Sequence, residues 1–418
     1  MHDVVTARQS DDLACGGGLT ITKPPSGLTQ RVLASQSVSS PTASAGLFIV
    51  NGSNDTIGRG GISAGNAPGL MVTDPQRSVL LAFDSAINSN RVEIVNTRRE
   101  SLTGAVQLPG PTTSMVAPNS SVAYAAVPTA PLNGLPAGAV VAMNLTNGGT
   151  TATISVPNAQ TVVSDANGAQ LLVFSNDSDS VTVVSPLVLN LGIPVTVAVP
   201  GFDRPVYGFF SGGNAYILNC GAECGGKQAS VQILNLGTTP PTAGAAVPVD
   251  GATVGFLSGS TLYVAGVSPS NNLCTGQTTA AATCGRLNIV DLGSLTVTST
   301  AVITDGYHDR IDMALGGQLF IGSYACSNIG NVNNVQGEVR GCLSIYNTTN
   351  GNVVIPPDNG DVTGLQGFSS RYVEYVAEGG RLRVYDTTKD TLLLNSFISN
   401  GTIIITGVIT DVKAVDFF

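Results

Sequence analysis

The sequence predicts an all-β protein built as a β-propeller, and two features of composition and one repeat carry that prediction. Only 11% of the 418 residues are charged, against roughly a quarter in an average soluble domain. Solvent-facing helices are normally rich in Glu, Lys, Arg, Gln and Ala, so this chain has few such helices to build. Its 50 Gly and 22 Pro, with abundant Thr, Ser, Asn and Val, are typical of short strands joined by turns.

A repeated unit of four short strands begins near residue 70. Each copy has an apolar strand, a polar turn, a strand ending in an aromatic or small residue, and a variable loop. A strand of the form x-V-x-V-x-N/D and a last strand ending in Pro or Gly complete it. Spacings of roughly 40 to 50 residues are typical of propeller blades. Successive copies cover 70–110, 114–158 and 161–201, and further copies start near Val206, Val254, Ile311 and Leu365.

The two ends of the chain together predict one more blade. Three strand-like segments at 31–37, 46–55 and 60–66 would supply its last three strands, and 407–418 would supply its first. Joining them closes the ring and leaves no exposed edge at the seam. We therefore expect an N-terminal arm over 1–30 and an eight-bladed propeller over 31–418. A seven-bladed ring would require the N-terminal set to be an accessory hairpin.

Several segments resemble the repeats of bacterial YVTN-type, lactonase-like β-propellers. They read LLVFSNDSDSVTVVS, TLYVAGV followed by RLNIVDL, and YVEYVAEGGRLRVYDTTKD. The resemblance covers about residues 31–418 and implies the propeller fold. It departs from the family at the blade starts, where Asp74-Pro75, Pro118-Asn119 and Ser211-Gly212 replace the regular Asp-Gly turn. Family members include enzymes, binding modules and surface proteins, so the fold does not choose among functions.

Six of the seven cysteines form three pairs that are local in sequence. Each pair falls in the loop between the second and third strands of consecutive blades, where a disulfide would cross-link a loop without a core of its own. Half a zinc site is the alternative, but no His or second Cys pair lies in the same loop. We predict three disulfides and hence an exported protein, in the periplasm, at the cell surface or outside the cell. The pairs are Cys220 with Cys224, Cys274 with Cys284, and Cys326 with Cys342.

The seventh cysteine, Cys15, lies in the arm and has three interpretations. Leu13-Ala14-Cys15-Gly16 resembles the end of a bacterial lipoprotein signal, although Ser10-Asp11-Asp12 stands where that signal has an apolar run. An odd cysteine also fits an intermolecular disulfide. A free thiol in a tail is the third interpretation.

One cluster of titratable residues is a candidate for chemistry. The segment DGYHDRID brings together Asp305, His308, Asp309 and Arg310, ahead of the blade that carries Cys326. A His beside carboxylates could act as a general base or bind a metal. We favour a structural turn with an Asp–Arg pair, and we predict no metal site.

Composition argues against other classes of partner. A net charge of −9 gives no electrostatic footprint for nucleic acid. The longest apolar stretch, 181–200, is interrupted by Ser185, Pro186, Asn190 and Pro194, so no membrane span is predicted. The chain contains no Trp for stacking a quinone and no C-x-x-C-H for haem, and we expect no cofactor.

The remaining expectation concerns function. Three stapled loops on one face favour a recognition surface for a protein or glycan, while a surface short of charge favours self-association. The arm could add a strand to a neighbour's outer blade edge, making a homo-oligomer or polymer. We therefore expect a non-catalytic interaction or scaffold protein that forms an extracellular assembly. The alternatives are a lactonase-like hydrolase using His308 and nearby Asp residues at the channel mouth, and a glycan- or peptide-binding module.

Overall fold

The repeated segments form four-stranded antiparallel sheets that follow one another around a ring. The computed structural model describes residues 24–37, 45–175, 177–185, 194–268, 284–326, 341–357, 360–394, 398, 401–405 and 407–416. These residues form eight sheets. Their Val, Ile and Thr residues suit a pleated surface that packs on both faces against neighbouring blades. The prediction of an eight-bladed propeller is confirmed.

Blades 2 to 4 contain their strands in chain order, from the channel outward. Blade 2 holds β4 (Pro68–Thr73), β5 (Val79–Asp84), β6 (Arg91–Asn96) and β7 (Ser101–Gln107). Blade 3 holds β8 (Ser114–Val116), β9 (Val122–Val127), β10 (Ala139–Asn144) and β11 (Gly149–Ser155). Blade 4 holds β12 (Ala159–Ser164), β13 (Leu171–Ser175), β14 (Ser180–Ser185) and β15 (Val195–Pro200).

Blades 5 to 8 repeat this order. Blade 5 holds β16 (Pro205–Ser211), β17 (Asn214–Asn219), β18 (Ser230–Asn235) and β19 (Thr242–Pro248), with a 3₁₀ helix at Gly221–Cys224. Blade 6 holds β20 (Val254–Ser258), β21 (Thr261–Ser268), β22 (Cys284–Asp291) and β23 (Thr296–Ile303). Blade 7 holds β24 (Tyr307–Met313), β25 (Gln318–Tyr324), β26 (Leu343–Asn347) and β27 (Val353–Val354). Blade 8 holds β28 (Val362–Gly367), β29 (Val373–Glu378), β30 (Arg381–Asp386) and β31 (Thr391–Leu392), and β32 (Thr402–Ile403) also pairs with β30.

Blade 1 joins the two ends of the chain. Its innermost strand is the C-terminal β33 (Val408–Asp416), followed by β1 (Gln30–Ser37), β2 (Gly46–Asn51) and β3 (Thr56–Ile62). β33 and β1 run antiparallel, with Val32 opposite Ala414. This is the predicted seam, and the N-terminal set supplies three strands of a full blade, so the seven-bladed alternative does not apply.

The hydrophobic core lies between the blades. Within the described residues each of the eight blade interfaces has its own apolar cluster. The cluster between blades 8 and 1, for example, contains Val32, Val412, Tyr375 and Val384, each fully buried. Burying one such side chain contributes about 1.5–3 kcal/mol, so every blade is stabilised chiefly by its two neighbours.

Two ion pairs, each with one fully buried partner, fix blade 1 to its neighbours on the face opposite the predicted disulfide loops. Towards blade 2, Arg31 Nη1 donates to Glu100 Oε1 at 2.6 Å and to the Thr97 carbonyl at 2.7 Å. Towards blade 8, the Arg371 guanidinium donates to both oxygens of the fully buried Asp55, at 2.8 and 2.9 Å. The Tyr375 hydroxyl donates to Asp55 Oδ1 at 2.5 Å. Blade 1 is therefore held in the ring by ion pairs as well as by apolar packing.

No helix in the described part of the chain has the length and apolar composition that a membrane crossing requires.

We expect Asp55→Ala to lower the free energy of unfolding by about 3 kcal/mol, because removing one partner of a buried ion pair leaves the other charge uncompensated. Urea unfolding followed by far-UV circular dichroism measures this. Lys389→Ala is the control: Lys389 is 74% exposed and pairs with Asp386, so its loss should cost less than about 1 kcal/mol. Equal losses in the two variants would contradict the role given to Asp55.

Candidate functional site

A cavity opens at the mouth of the central channel. The innermost strands of all blades begin at this face, and the loops between second and third strands lie on it as well. The cavity has a volume of about 590 Å³, which suits a small organic ligand. Inner-strand residues of blades 2 to 7 line it, together with loop residues that include Cys224. Those central to its chemistry are Tyr207, Tyr307, Asp309, Arg310 and Tyr324.

Two of the three predicted disulfides are present beside this mouth. Cys220 bonds to Cys224 in blade 5, and Cys326 bonds to Cys342 in blade 7. Each closes the loop between the second and third strands of its blade, as the sequence predicted. The side chains of the third pair, Cys274 and Cys284, lie outside the described residues, as does Cys15.

The structure separates the predicted His–Asp–Arg cluster. His308 is fully buried, and its Nε2 donates to the Thr304 carbonyl at 3.0 Å. Burial lowers the pKa of His308 to about 4, so the ring is neutral near pH 7. Asp305 is also buried, and its backbone carbonyl accepts the Ser323 hydroxyl at 2.8 Å. Neither residue lines the cavity.

A bulge explains why Asp309 and Arg310 do line it. Side chains alternate along a strand, so neighbours at 308 and 309 point to opposite faces. The pairing of β24 with β25 then shifts between His308 and Arg310, which lie opposite Ser323 and Gly322. The extra residue in a bulge re-aims the following side chain. Asp309 and Arg310 therefore share the channel face, and His308 packs into the blade interface.

Asp309 and Arg310 form an ion pair, but the predicted structural turn is wrong, because both residues lie in strand β24. Arg310 Nη1 donates to Asp309 Oδ2 at 2.9 Å, and its Nε donates to the Thr363 carbonyl of blade 8 at 2.7 Å. Asp309 Oδ1 is buried and accepts no hydrogen bond from the described residues. Burial raises the pKa of Asp309, Arg310 opposes the rise, and the charges of Asp411 and Asp361 add to it.

Two tyrosines form an aromatic corner next to this pair. The rings of Tyr307 and Tyr324 lie 5.3 Å apart between centroids at an interplanar angle of 47°. Tyr324 is 41% exposed, whereas Tyr307 is half-buried. Burial raises the pKa of Tyr307 to about 12, with smaller contributions from the charges of Tyr324, Glu223 and Asp309.

Glu223 is the main residue that the sequence analysis missed. It lies in the 3₁₀ helix inside the Cys220–Cys224 loop, and its Oε2 accepts the backbone N–H of Val267 in blade 6 at 2.8 Å. Burial raises its pKa to about 7. The chain has only six Glu, and one enclosed between two disulfide cysteines could have been singled out on that ground. Tyr324 could have been singled out in the same way, because it lies two residues before a cysteine of a predicted disulfide, Cys326.

The cavity lining thus combines aromatic faces, two arginines and Asp309, whose pKa is raised. Glu223, whose pKa is also raised, lies next to the lining residue Cys224. Perturbed carboxylates in a cleft mark a functional-site candidate. Within the described residues, no group of three or more His, Cys, Asp or Glu is arranged to hold a metal ion. Recognition of a polar ligand is the chemistry these residues fit best.

Comparison with known proteins agrees with the fold. No protein-family model and no curated protein matches the chain. Dihydro-heme d1 dehydrogenase NirN is similar in structure, with a TM-score of 0.61, 11% identity, and coverage of 89% of this chain and 74% of that one. The periplasmic gluconolactonase PpgL of Pseudomonas aeruginosa has a TM-score of 0.51 and 13% identity, with coverage of 93% of this chain and 99% of that one. BamB of Moraxella catarrhalis has a TM-score of 0.51 and 11% identity, with coverage of 82% of this chain and 89% of that one. At these identities the likeness shows the β-propeller fold, in proteins of differing function.

We expect Glu223→Gln to lose less stability than the wild type as pH rises from about 5 to 8. The folded pKa of about 7 lies above the usual 4.5, so the folded state keeps a proton that the unfolded state releases in that window. This stabilising contribution is complete below pH 4.5 and is lost as pH rises through 7, by on the order of 1–2 kcal/mol. Thermal unfolding at the two pH values measures it. Asp177→Asn, at a side chain 90% exposed, is the control and should behave as the wild type; a Gln variant with the wild-type profile would contradict the expectation.

Proposed function

We propose that the chain is an exported, non-catalytic interaction protein that self-associates through the outermost strands of its blades, and that it belongs to the lactonase-like, YVTN-type propellers. The observation that carries this proposal is the near absence of charge from those outermost strands, here called the rim. The rim consists of β3, β7, β11, β15, β19, β23, β27 and β31.

Seven of the eight described rim strands contain no charged residue. The exception is β3, which contains Arg59. Natural propellers and sandwiches usually protect exposed edges with Lys, other charges or Pro, because unpaired N–H and C=O groups otherwise recruit another strand. A rim without charge has no electrostatic barrier against an identical rim.

The rim also exposes apolar side chains. Ile57, Leu102, Val195 and Val302 are 47%, 42%, 45% and 41% exposed, respectively, and each lies on a different rim strand. Exposed apolar surface at an unpaired edge favours association with another chain. Backbone pairing and apolar contact would therefore act together.

β15 is the best acceptor of an added strand. The pairing of β3, β7, β11, β19 and β23 with their inner neighbours contains a register shift, a device that discourages edge pairing. The pairing of β14 with β15 runs unbroken from Ser180 opposite Pro200 to Ser185 opposite Val195. We assign the donor strand to the N-terminal arm of a neighbouring copy, in which Leu19-Thr20-Ile21-Thr22 has strand-forming composition.

Export is supported by the two disulfides beside the channel mouth, because structural disulfides persist in oxidising compartments.

Thr196→Lys should convert assemblies into single chains near 42.4 kDa, because a charge on β15, here at its second residue, opposes strand addition. Native mass spectrometry with negative-stain imaging measures the distribution. Thr153→Lys on the bulged strand β11 is the matched control and should assemble like the wild type. A wild-type protein that is monomeric at all concentrations would overturn the proposal.

Removal of residues 1–23 should have the same effect, and this boundary keeps residues 24–30, the part of the arm that the structure describes. Ser26 donates to Glu100 through its N–H and its hydroxyl, both at 2.6 Å, and Gln30 begins β1. If the truncated chain still assembles while Thr196→Lys does not, the rim is the interface and the assignment of the arm as donor is wrong. If the wild-type protein loses its assemblies only when a reductant is added, the contact between copies would instead be assigned to a disulfide of Cys15.

A lactonase-like hydrolase is the second candidate function, and the presence of Asp309 in the cavity is what favours it. Because we propose a non-catalytic protein, we expect no turnover of a δ-lactone or an aryl ester above the buffer rate. Turnover that is abolished by Asp309→Asn would establish the hydrolase instead. Loss of that turnover on His308→Ala would test the base predicted from the sequence, provided that the variant keeps its circular dichroism spectrum.

A further inference from the structure

We propose that the channel mouth binds an organic cation, an ammonium or guanidinium group, against the aromatic corner of Tyr307 and Tyr324 and within the field of three surrounding acids. The site is separate from the rim, so it does not depend on self-association.

The aromatic corner supplies the first attraction. Two rings 5.3 Å apart and inclined at 47° form adjoining walls, and both line the cavity. A cation within about 6 Å of a ring centroid gains roughly 0.5–1 kcal/mol at an exposed site and about 2 kcal/mol when desolvated. With Tyr324 41% exposed, at least one of the walls is open to a ligand.

Three carboxylates surround this corner, each from a different blade. Asp309 lies on blade 7, and its Oδ1 has no hydrogen-bond donor among the described residues. Asp361, at the start of blade 8, accepts the backbone N–H of Ala325, next to Tyr324, at 2.9 Å. Glu223, from blade 5, is close enough for its charge to raise the pKa of both tyrosines. Arg310 balances Asp309, so the excess of negative charge at the mouth comes from Asp361 and from the ionised fraction of Glu223, whose pKa is about 7.

The arginines do not turn the site into an anion site. Arg310 already donates to the Thr363 carbonyl and to Asp309, so its hydrogen bonds are largely committed to the protein. Arg204, also in the cavity lining, lies 3.6 Å from Asp177 and 3.8 Å from Asp179. An anion would have to displace these carboxylates, whereas a cation meets tyrosine faces and acids without displacing any group.

The disulfides hold the parts of the site in place. The Cys220–Cys224 bond closes the loop that presents Glu223, and the Cys326–Cys342 bond begins two residues after Tyr324. Loops fixed in the binding conformation lose less entropy when the ligand binds. Two disulfides close to one aromatic corner fit a preformed site.

Isothermal titration calorimetry with three probes tests the proposal. Choline presents a quaternary ammonium, N-acetyl-arginine methylamide presents a guanidinium, and 3,3-dimethylbutanol is the neutral isostere of choline. We expect one or both cations to bind and the neutral alcohol not to bind. The preferred cation distinguishes a small quaternary ammonium from an arginine side chain as the natural group. Affinity should fall with added salt, because the acids act through a screened field.

Substitutions separate the aromatic contribution from a general effect on folding. Tyr324→Ala should weaken binding by about fivefold or more, and Tyr324→Phe should restore it, since the ring face and not the hydroxyl attracts the cation. Asp309→Asn should weaken binding as well. Tyr372→Ala, 55% exposed on the opposite face, is the control and should leave affinity unchanged. The proposal is overturned if neither cation binds, if the neutral alcohol binds as well as choline, or if Tyr324→Ala binds like the wild type.

Discussion

Every blade interface in the ring depends on one pairing, that of β33 with β1. The two strands lie at opposite ends of the chain, so the ring has no closed core until they meet. Apolar clusters between blades stabilise a ring only if each blade has two neighbours, and an open blade 1 would expose the clusters it shares with blades 8 and 2. The Asp55–Arg371 and Arg31–Glu100 pairs add directional contacts on both sides of this blade, which fixes its position as well as its presence.

Charge is used sparingly in this protein, and its placement matters more than its amount. Asp55, Arg31 and Glu378 are fully buried, where ion pairs and hydrogen bonds position blades. A second group surrounds the channel mouth, and almost none remains for the rim. Buried charges contribute to a single arrangement of elements at little net gain in stability. The few charged residues of this sequence therefore still position blades and surround the channel mouth, while most of the outermost strands contain no charged residue.

The fold was predictable because a propeller repeats, whereas the site was not. Eight sets of strands, the seam at 407–418 and the disulfides of Cys220 and Cys326 follow from periodicity and from cysteine position within the repeat. The orientation of His308 follows from strand alternation together with a bulge at Asp309, and no local sequence signal marks that bulge. Glu223, Tyr307 and Tyr324 come from blades 5 and 7 and meet only because the ring places them on one face. Periodicity predicts which face a loop occupies, but not which side chains converge across neighbouring blades.

The separation of rim and mouth has a geometric consequence. The unpaired edges of the outermost strands face away from the channel axis, so strand addition at β15 would join rings side by side and leave both faces of each ring open. The two disulfides and the aromatic corner would then remain accessible in every copy of an assembly. Many copies held side by side would present many mouths to one multivalent partner, and linked sites bind such a partner far more tightly than one site does. An edge without charge and a face with acids and tyrosines are therefore compatible in one molecule, because they act in perpendicular directions.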